Sequence, residues 1–190
     1  MKKVLLLGDS IRMGYDSYVK EELKECEVYY DDTDNGRFSA YTIWQFNQLN
    51  NMYGPFDVVH FNNGYWDMNH EGPNGEEETP VEDYCHNLER LVGLIRETKA
   101  IPIFALTIPI CDKLQNISGY GHLGYKNEWV IKYNDASSKL MKKLDVKIND
   151  LYSLMLEDEH YYKCSDSLHL TEVGYKVCAK KVANVIREVL

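Results

Sequence analysis

Short contiguous runs of apolar residues alternate along this chain with longer stretches in which apolar positions recur every three or four residues, the pattern of strands joined by crossover helices. The first run, residues 4–7, stops at Gly8-Asp9-Ser10, and Ile11, Met13, Tyr15, Tyr18, Val19 and Leu23 then suit a helix. A second strand is predicted over residues 27–30. Past the turn-like stretch 31–36, a helix carries Tyr41, Ile43, Trp44, Phe46 and Leu49. Gly54-Pro55 punctuates the chain before a third strand, residues 58–61, which runs into Asn62-Asn63-Gly64. The next helix has a start signal: Thr79 as cap, Pro80 at the first helical position and Glu82 completing a capping box, together worth about 1 kcal/mol. Leu88, Leu91, Val92 and Ile95 form its buried stripe. A fourth strand over 101–106 precedes a helix with Trp129, Val130, Tyr133, Leu140, Met141 and Leu144. A fifth strand over 146–148 leads to a loop holding Asp166 and His169. Thr171 then opens a last helix that turns Val177, Val182, Val185, Ile186 and Val189 inward.

Strands that alternate with helices favour a parallel sheet covered on both faces, because right-handed crossovers place the helices there. The expected architecture is α/β, a three-layer α/β/α sandwich around a five-stranded parallel sheet of flavodoxin-like kind, in a single domain over residues 1–190. In open sheets of this sort ligands collect outside the carboxyl ends of the strands. The residues of interest that interrupt the pattern, Ser10, Gly36, Asn62 and His169, fall at that edge.

Composition narrows the partners. A formal charge of −9 opposes a general attraction to phosphate backbones, so nucleic acid is not expected. No apolar run approaches the length of a membrane span, and the apolar stretch after Met1-Lys2-Lys3 is too short for a signal peptide, so a cytoplasmic location without membrane insertion is expected. The five cysteines, Cys26, Cys85, Cys111, Cys164 and Cys178, are odd in number and lack a C-x-x-C pair, which reads as reduced thiols rather than a disulfide framework or a zinc site. No metal and no cofactor are expected.

The candidate chemistry is acyl transfer. Ser10 stands where a strand turns into a helix, so its hydroxyl faces the crevice; a plain helix cap is the other reading of the tripeptide. A serine hydroxyl is a weak nucleophile, and it needs an imidazole to take its proton and a carboxylate to orient that imidazole. Asp166 and His169 are spaced so that one turn holds both side chains, although in isolation Asp-x-x-His also describes a solvated turn. Charge developing on the carbonyl oxygen requires preorganised donors. The candidates are the backbone N–H groups of Ser10 and Gly36 and a side-chain amide from Asn62, with Asn63 as second choice.

Taken together these blocks resemble the SGNH/GDSL hydrolases: Gly8-Asp9-Ser10 near the start, Gly36 after the second strand, Asn62-x-Gly64-x-x-Asp67 after the third and Asp166-x-x-His169 before the last helix. The resemblance runs from end to end, and it implies the family's three-layered fold and a serine esterase or acylhydrolase activity with Ser10, Asp166 and His169 as its triad. One block departs from the pattern. The family's usual Gly-x-Asn-Asp is here Gly64-Tyr65-Trp66-Asp67, and an indole cannot imitate a carboxamide. The sequence looks like a subgroup with Phe-Asn-x-Gly-x-x-Asp, which assigns the missing donor to Asn62 and makes Tyr65 and Trp66 candidates for the substrate pocket.

The implied substrate is a small carboxylic ester, with O-acetyl groups on sugars as one class. A different class of function stays open, a non-catalytic carbohydrate- or ligand-binding module on the same fold, which the Trp66 departure permits. A nucleotide-binding domain is disfavoured because Gly8 begins no phosphate loop. Asp9 and Asp67 read as residues that fix turns, His60 as a core histidine, and Arg12 and Arg37 as surface ion pairs or contacts to an anionic substrate group. Residues 69–79 and 111–126, the latter with Tyr120, His122 and Tyr125, lie at the active edge as a rim or lid.

Overall fold

The computed structural model describes residues 1–70, 74–111, 125–163 and 166–190, with only the backbone of Lys163 and Asp166. Strands β1 (Lys2–Leu7), β2 (Cys26–Tyr29), β3 (Val58–Phe61), β4 (Ile101–Ala105) and β5 (Lys147–Asn149) form one parallel sheet in the order β2-β1-β3-β4-β5. The expected strands are therefore present, with ends displaced by at most two residues, as fraying makes usual.

Helices α1 (Ser10–Glu22), α2 (Ser39–Tyr53), α3 (Val81–Glu97), α4 (Asn127–Lys143), α5 (Leu151–Met155) and α6 (Glu172–Arg187) cover the sheet as the outer layers of an α/β/α sandwich. One layer pairs α1 with α6, and the other runs α2, α3, α4. Burial on both faces explains why β1 and β3 read as unbroken apolar runs rather than alternating ones: Val4, Leu5, Leu6, Leu7, Val58, Val59 and Phe61 are all fully buried. His60 lies among them, paired with Leu6 of β1 and Ile103 of β4.

The order has a switch point. From β1 the chain passes through α1 to β2 at the sheet edge, then returns through α2 to β3 on the other side of β1. The connections after β1 and β3 therefore diverge to opposite faces and leave a crevice at the carboxyl ends of these two strands.

Two local expectations are corrected. Thr79 does not cap α3: Pro80 occupies the cap position without a side-chain hydrogen bond, and the Thr79 hydroxyl instead serves the buried Asp67 carboxylate. A buried anion competes better for a hydroxyl than an exposed helix end does. The segment around His169 is not a loop. It is β7 (Asp166–Leu170), paired antiparallel with β6 (Tyr162–Lys163) after a 3-10 turn at Glu159–Tyr161. The ribbon is tied to the rest of the fold by Cys111 N–H donating to Ser167 O at 2.9 Å, a tertiary contact without a local signature. Thr171 caps α6 as expected, its hydroxyl oxygen accepting Gly174 N–H at 3.2 Å.

Candidate active site

The site begins at the end of β1. Gly8 has φ +147, and a β-carbon there would lie 1.9 Å from Asn62 Oδ1, so only glycine lets β1 and β3 end this close together. Asp9 then caps α1, its Oδ1 accepting Ile11 N–H at 3.0 Å. Asp9, not Ser10, is therefore the helix cap. Ser10 follows as the first helical residue, where backbone N–H groups have no acceptor inside the helix and the dipole is positive.

Ser10 Oγ lies 2.8 Å from His169 Nε2, although the two residues are 159 positions apart. The contact exists because α1 packs against both α6 and β7. Gly14 contributes to that packing: a β-carbon on it would stand 2.0 Å from the Tyr175 ring of α6. Asp166 opens β7 three residues before His169. Its side chain lies outside the described residues.

The expected oxyanion donors fare differently. Gly36 N–H is donated to Gly8 O at 2.5 Å, so it faces the strand end rather than a substrate. Its lack of a side chain serves the same contact, since a β-carbon would lie 2.7 Å from Thr42 Oγ1 and 3.1 Å from the Gly8 carbonyl. Asn63 is committed to structure, its Nδ2 donating to Thr42 Oγ1 at 2.7 Å and to Arg37 O at 3.2 Å. Asn62 is buried beside Asp9, and among the described residues its Oδ1 accepts no hydrogen bond. Burial raises the Asp9 pKa, and the Asn62 amide and the Ile11 N–H oppose that rise.

Tyr65 is buried, donates to Ile108 O at 2.6 Å and meets the Tyr125 ring edge-on. Trp66 is half-buried beside it. Asp67 fixes the start of α2, accepting Ser39 N–H at 2.9 and 3.1 Å and Ser39 Oγ–H at 2.6 Å. Burial outweighs these bonds and pushes its pKa up to about 7. His60 Nε2 is 3.0 Å from Asn149 Nδ2, and burial lowers its pKa to about 3, which keeps the imidazole neutral as a core histidine should be.

Arg12 was missed. It is neither a surface residue nor a substrate contact but fully buried, paired with Asp16 at 2.6 Å. The available signal was the i,i+4 spacing of Arg12 and Asp16 on α1. Arg37 pairs with Asp34 at 3.0 Å and covers the Tyr41 ring. Of the expected rim, residues 71–73 and 112–124, with Tyr120 and His122, lie outside the described residues. The described cysteines, Cys26, Cys85, Cys111 and Cys178, are unpaired, and Cys164 lies outside the described residues. Among the described residues no cluster suited to a metal ion occurs, and no helix is long and apolar enough to cross a membrane.

This architecture is that of the SGNH hydrolase fold. The chain superposes on the lipase/acylhydrolase of Enterococcus faecalis with a TM-score of 0.79 over 99% of this chain and 96% of that one, at 18% identity. It superposes on the acetyl xylan esterase AlAXEase with a TM-score of 0.76 over 97% and 99% of the two chains, also at 18% identity. The psychrotrophic esterase EstA of Pseudoalteromonas sp. gives a TM-score of 0.70 over 99% and 98%, at 15% identity. At such identities the likeness is one of fold. In sequence, the chain is similar to the GDSL esterase/lipase WDL1 of Oryza sativa subsp. japonica, 26% identical over 116 residues, 57% of this chain. The match spans 45% of that relative's length. No family model matches the chain.

Proposed function

We propose that this protein is a serine ester hydrolase that cleaves small carboxylic esters through an acyl-Ser10 intermediate. The observation that carries the reading is the 2.8 Å contact between Ser10 Oγ and His169 Nε2 at the crevice between β1 and β3. The kinship of the fold with an acylhydrolase and an acetyl xylan esterase supports the class of reaction.

In the proposed sequence His169 Nε2 takes the Ser10 hydroxyl proton as Oγ bonds to the ester carbonyl carbon, then gives that proton to the departing alcohol. Water then loses a proton to His169 as its oxygen bonds to the acyl carbon, and His169 returns that proton to Ser10 Oγ as the bond from Oγ to the acyl carbon breaks and the acid leaves. Asp166 is assigned to orient the imidazole from the start of β7. The Ser10 N–H at the positive end of α1 is the first oxyanion donor, and the carboxamide of Asn62, beside Gly8 and Asp9, the second. Gly36 contributes through Gly8, by the contact described above. O-acetylated sugars are the substrate class we favour, on the strength of the acetyl xylan esterase likeness.

The test is hydrolysis of p-nitrophenyl acetate and labelling by a fluorophosphonate, in wild type and Ser10→Ala. Turnover and labelling in wild type, and neither in the variant at unchanged melting temperature, are expected. Undiminished turnover in Ser10→Ala would refute the mechanism, and an inert, unlabelled wild type would leave a ligand-binding module on this fold as the better reading.

A further inference from the structure

Arg12 stands two residues after the nucleophile, yet it is wholly buried and cannot meet a substrate. Its guanidinium reaches four acceptors in three stretches of chain. Nη1 donates to Asp16 Oδ2 and to Asp31 O, each at 2.6 Å, Nη2 donates to Asp34 O at 2.8 Å, and Nε faces Gly8 O at 3.4 Å. Two of these acceptors are backbone carbonyls of the connection between β2 and α2, which also carries Gly36. Burying a cation is costly unless it is fully hydrogen-bonded, and a planar fork of five N–H groups meets acceptors in these divergent directions as a lysine ammonium does not.

The same connection returns to Gly8 from the other side. Gly36 N–H donates to the Gly8 carbonyl at 2.5 Å, and the Thr42 hydroxyl donates to Gly36 O at 2.7 Å. Gly8 O thus receives Gly36 directly and faces Arg12 Nε, while Arg12 ties down the connection that delivers Gly36. The Gly8 carbonyl belongs to the peptide plane that joins Gly8 to Asp9. The next plane carries the Ser10 N–H, so fixing the first restricts the direction of the second.

We infer that Arg12 is a positioning residue for the proposed ester hydrolysis: through the connection over residues 31–36 it holds Gly36 on the Gly8 carbonyl, and thereby aims the Ser10 N–H at the oxyanion. The inference rests on the reading of Ser10 as nucleophile. Arg12 touches no reacting atom; it acts through Gly8 and Gly36. A donor displaced by a fraction of its hydrogen-bond length keeps substrate binding but loses transition-state stabilisation, so the loss belongs in kcat and not in KM.

The experiment compares wild type, Ser10→Ala, Arg12→Lys and Arg12→Gln, with p-nitrophenyl acetate as substrate and competent sites counted by exhaustive fluorophosphonate labelling. In Arg12→Lys and Arg12→Gln, kcat per labelled site is expected to fall about 100-fold, the range for losing one oxyanion donor, with KM held within about twofold. A residue needed only for stability would reduce the number of labelled sites and leave each survivor with wild-type kcat. That result, or a loss confined to KM, overturns the inference. So does failure of both variants to keep the wild-type near-ultraviolet spectrum, which would make Arg12 a folding residue. An inert wild type or an active Ser10→Ala removes the esterase reading itself, and the inference with it.

Discussion

Asp67 holds the first residue of α2 with a carboxylate that is fully buried, and a single substitution tests whether burial or hydrogen bonding sets its charge. Burial moves its pKa from 3.8 to about 7 despite the bonds from Ser39 and Thr79. Between those values the folded chain keeps a proton that the unfolded chain has lost. Stability is then greatest at the acid end of the window and falls as the pH rises through it, the reverse of a salt-bridged carboxylate. With one pKa unit equivalent to about 1.4 kcal/mol, going from about pH 5 to about pH 8 removes about 2 to 3 kcal/mol through this group alone. Asp67→Asn keeps the shape and an oxygen for Ser39 but never ionises. Urea unfolding of both proteins at the two pH values is the assay. Other titrating groups, such as Asp16 with its pKa raised by burial to about 7, are common to both proteins and cancel in the difference. The variant is expected to lose about 2 to 3 kcal/mol less than wild type over this interval. Equal losses in the two proteins would show that hydrogen bonding keeps Asp67 ionised and that burial does not dominate.

Gly14→Ala should destabilise the fold by about 1 to 3 kcal/mol in thermal unfolding, although alanine is the better helix former, because the added methyl meets the Tyr175 ring at 2.0 Å. A melting temperature equal to or above wild type would mean that α1 and α6 are not packed as described. Thr171→Ala removes the α6 cap next to the His169 strand and should cost about 1 kcal/mol in chemical denaturation. The Cys178 thiol, pushed up to about 12 by burial, should resist alkylation in the native protein and react on unfolding, as read by mass spectrometry of the digest. Native labelling as fast as in denaturant would contradict its place in the core. Asn62→Ala should reduce kcat about 100-fold on p-nitrophenyl acetate if its amide serves the oxyanion; full turnover with an intact fold would remove Asn62 from that role.

Much of the fold was legible before any coordinates. Contiguous apolar runs at residues 4–7 and 58–61 mark strands buried on both faces, and the periodic stretches between them mark the helices that do the burying. Ser10 was legible as a candidate from its place where the first strand turns into a helix, and His169 from its spacing to Asp166 and the joint match of the blocks to the SGNH/GDSL pattern, although its segment read as a loop. Local residue patterns suffice for these features because each depends on a period, a cap or a turn within a few residues of itself.

What the sequence could not decide depends on which distant segments meet. Strand order, and with it the crevice between β1 and β3, follows from pairing across long connections. Gly36 read as a donor to substrate because a glycine in a loop has no visible partner; only the fold brings Gly8 O to within 2.5 Å of its N–H. Arg12 read as a surface charge because an isolated cation avoids burial, and only the arrival of the Asp31 and Asp34 carbonyls beside its helical neighbour Asp16 makes its burial tolerable. Sequence by itself determined the five strands of the main sheet, the longer helices and the polar residues at their ends, since those are set by short-range sterics and hydrophobic period, whereas α5 and the β6–β7 ribbon carried no such signal. The tertiary structure alone decided which of those polar groups are left free to act and which are spent holding the others in place, because a hydrogen bond's partner is chosen by distance in space and not along the chain.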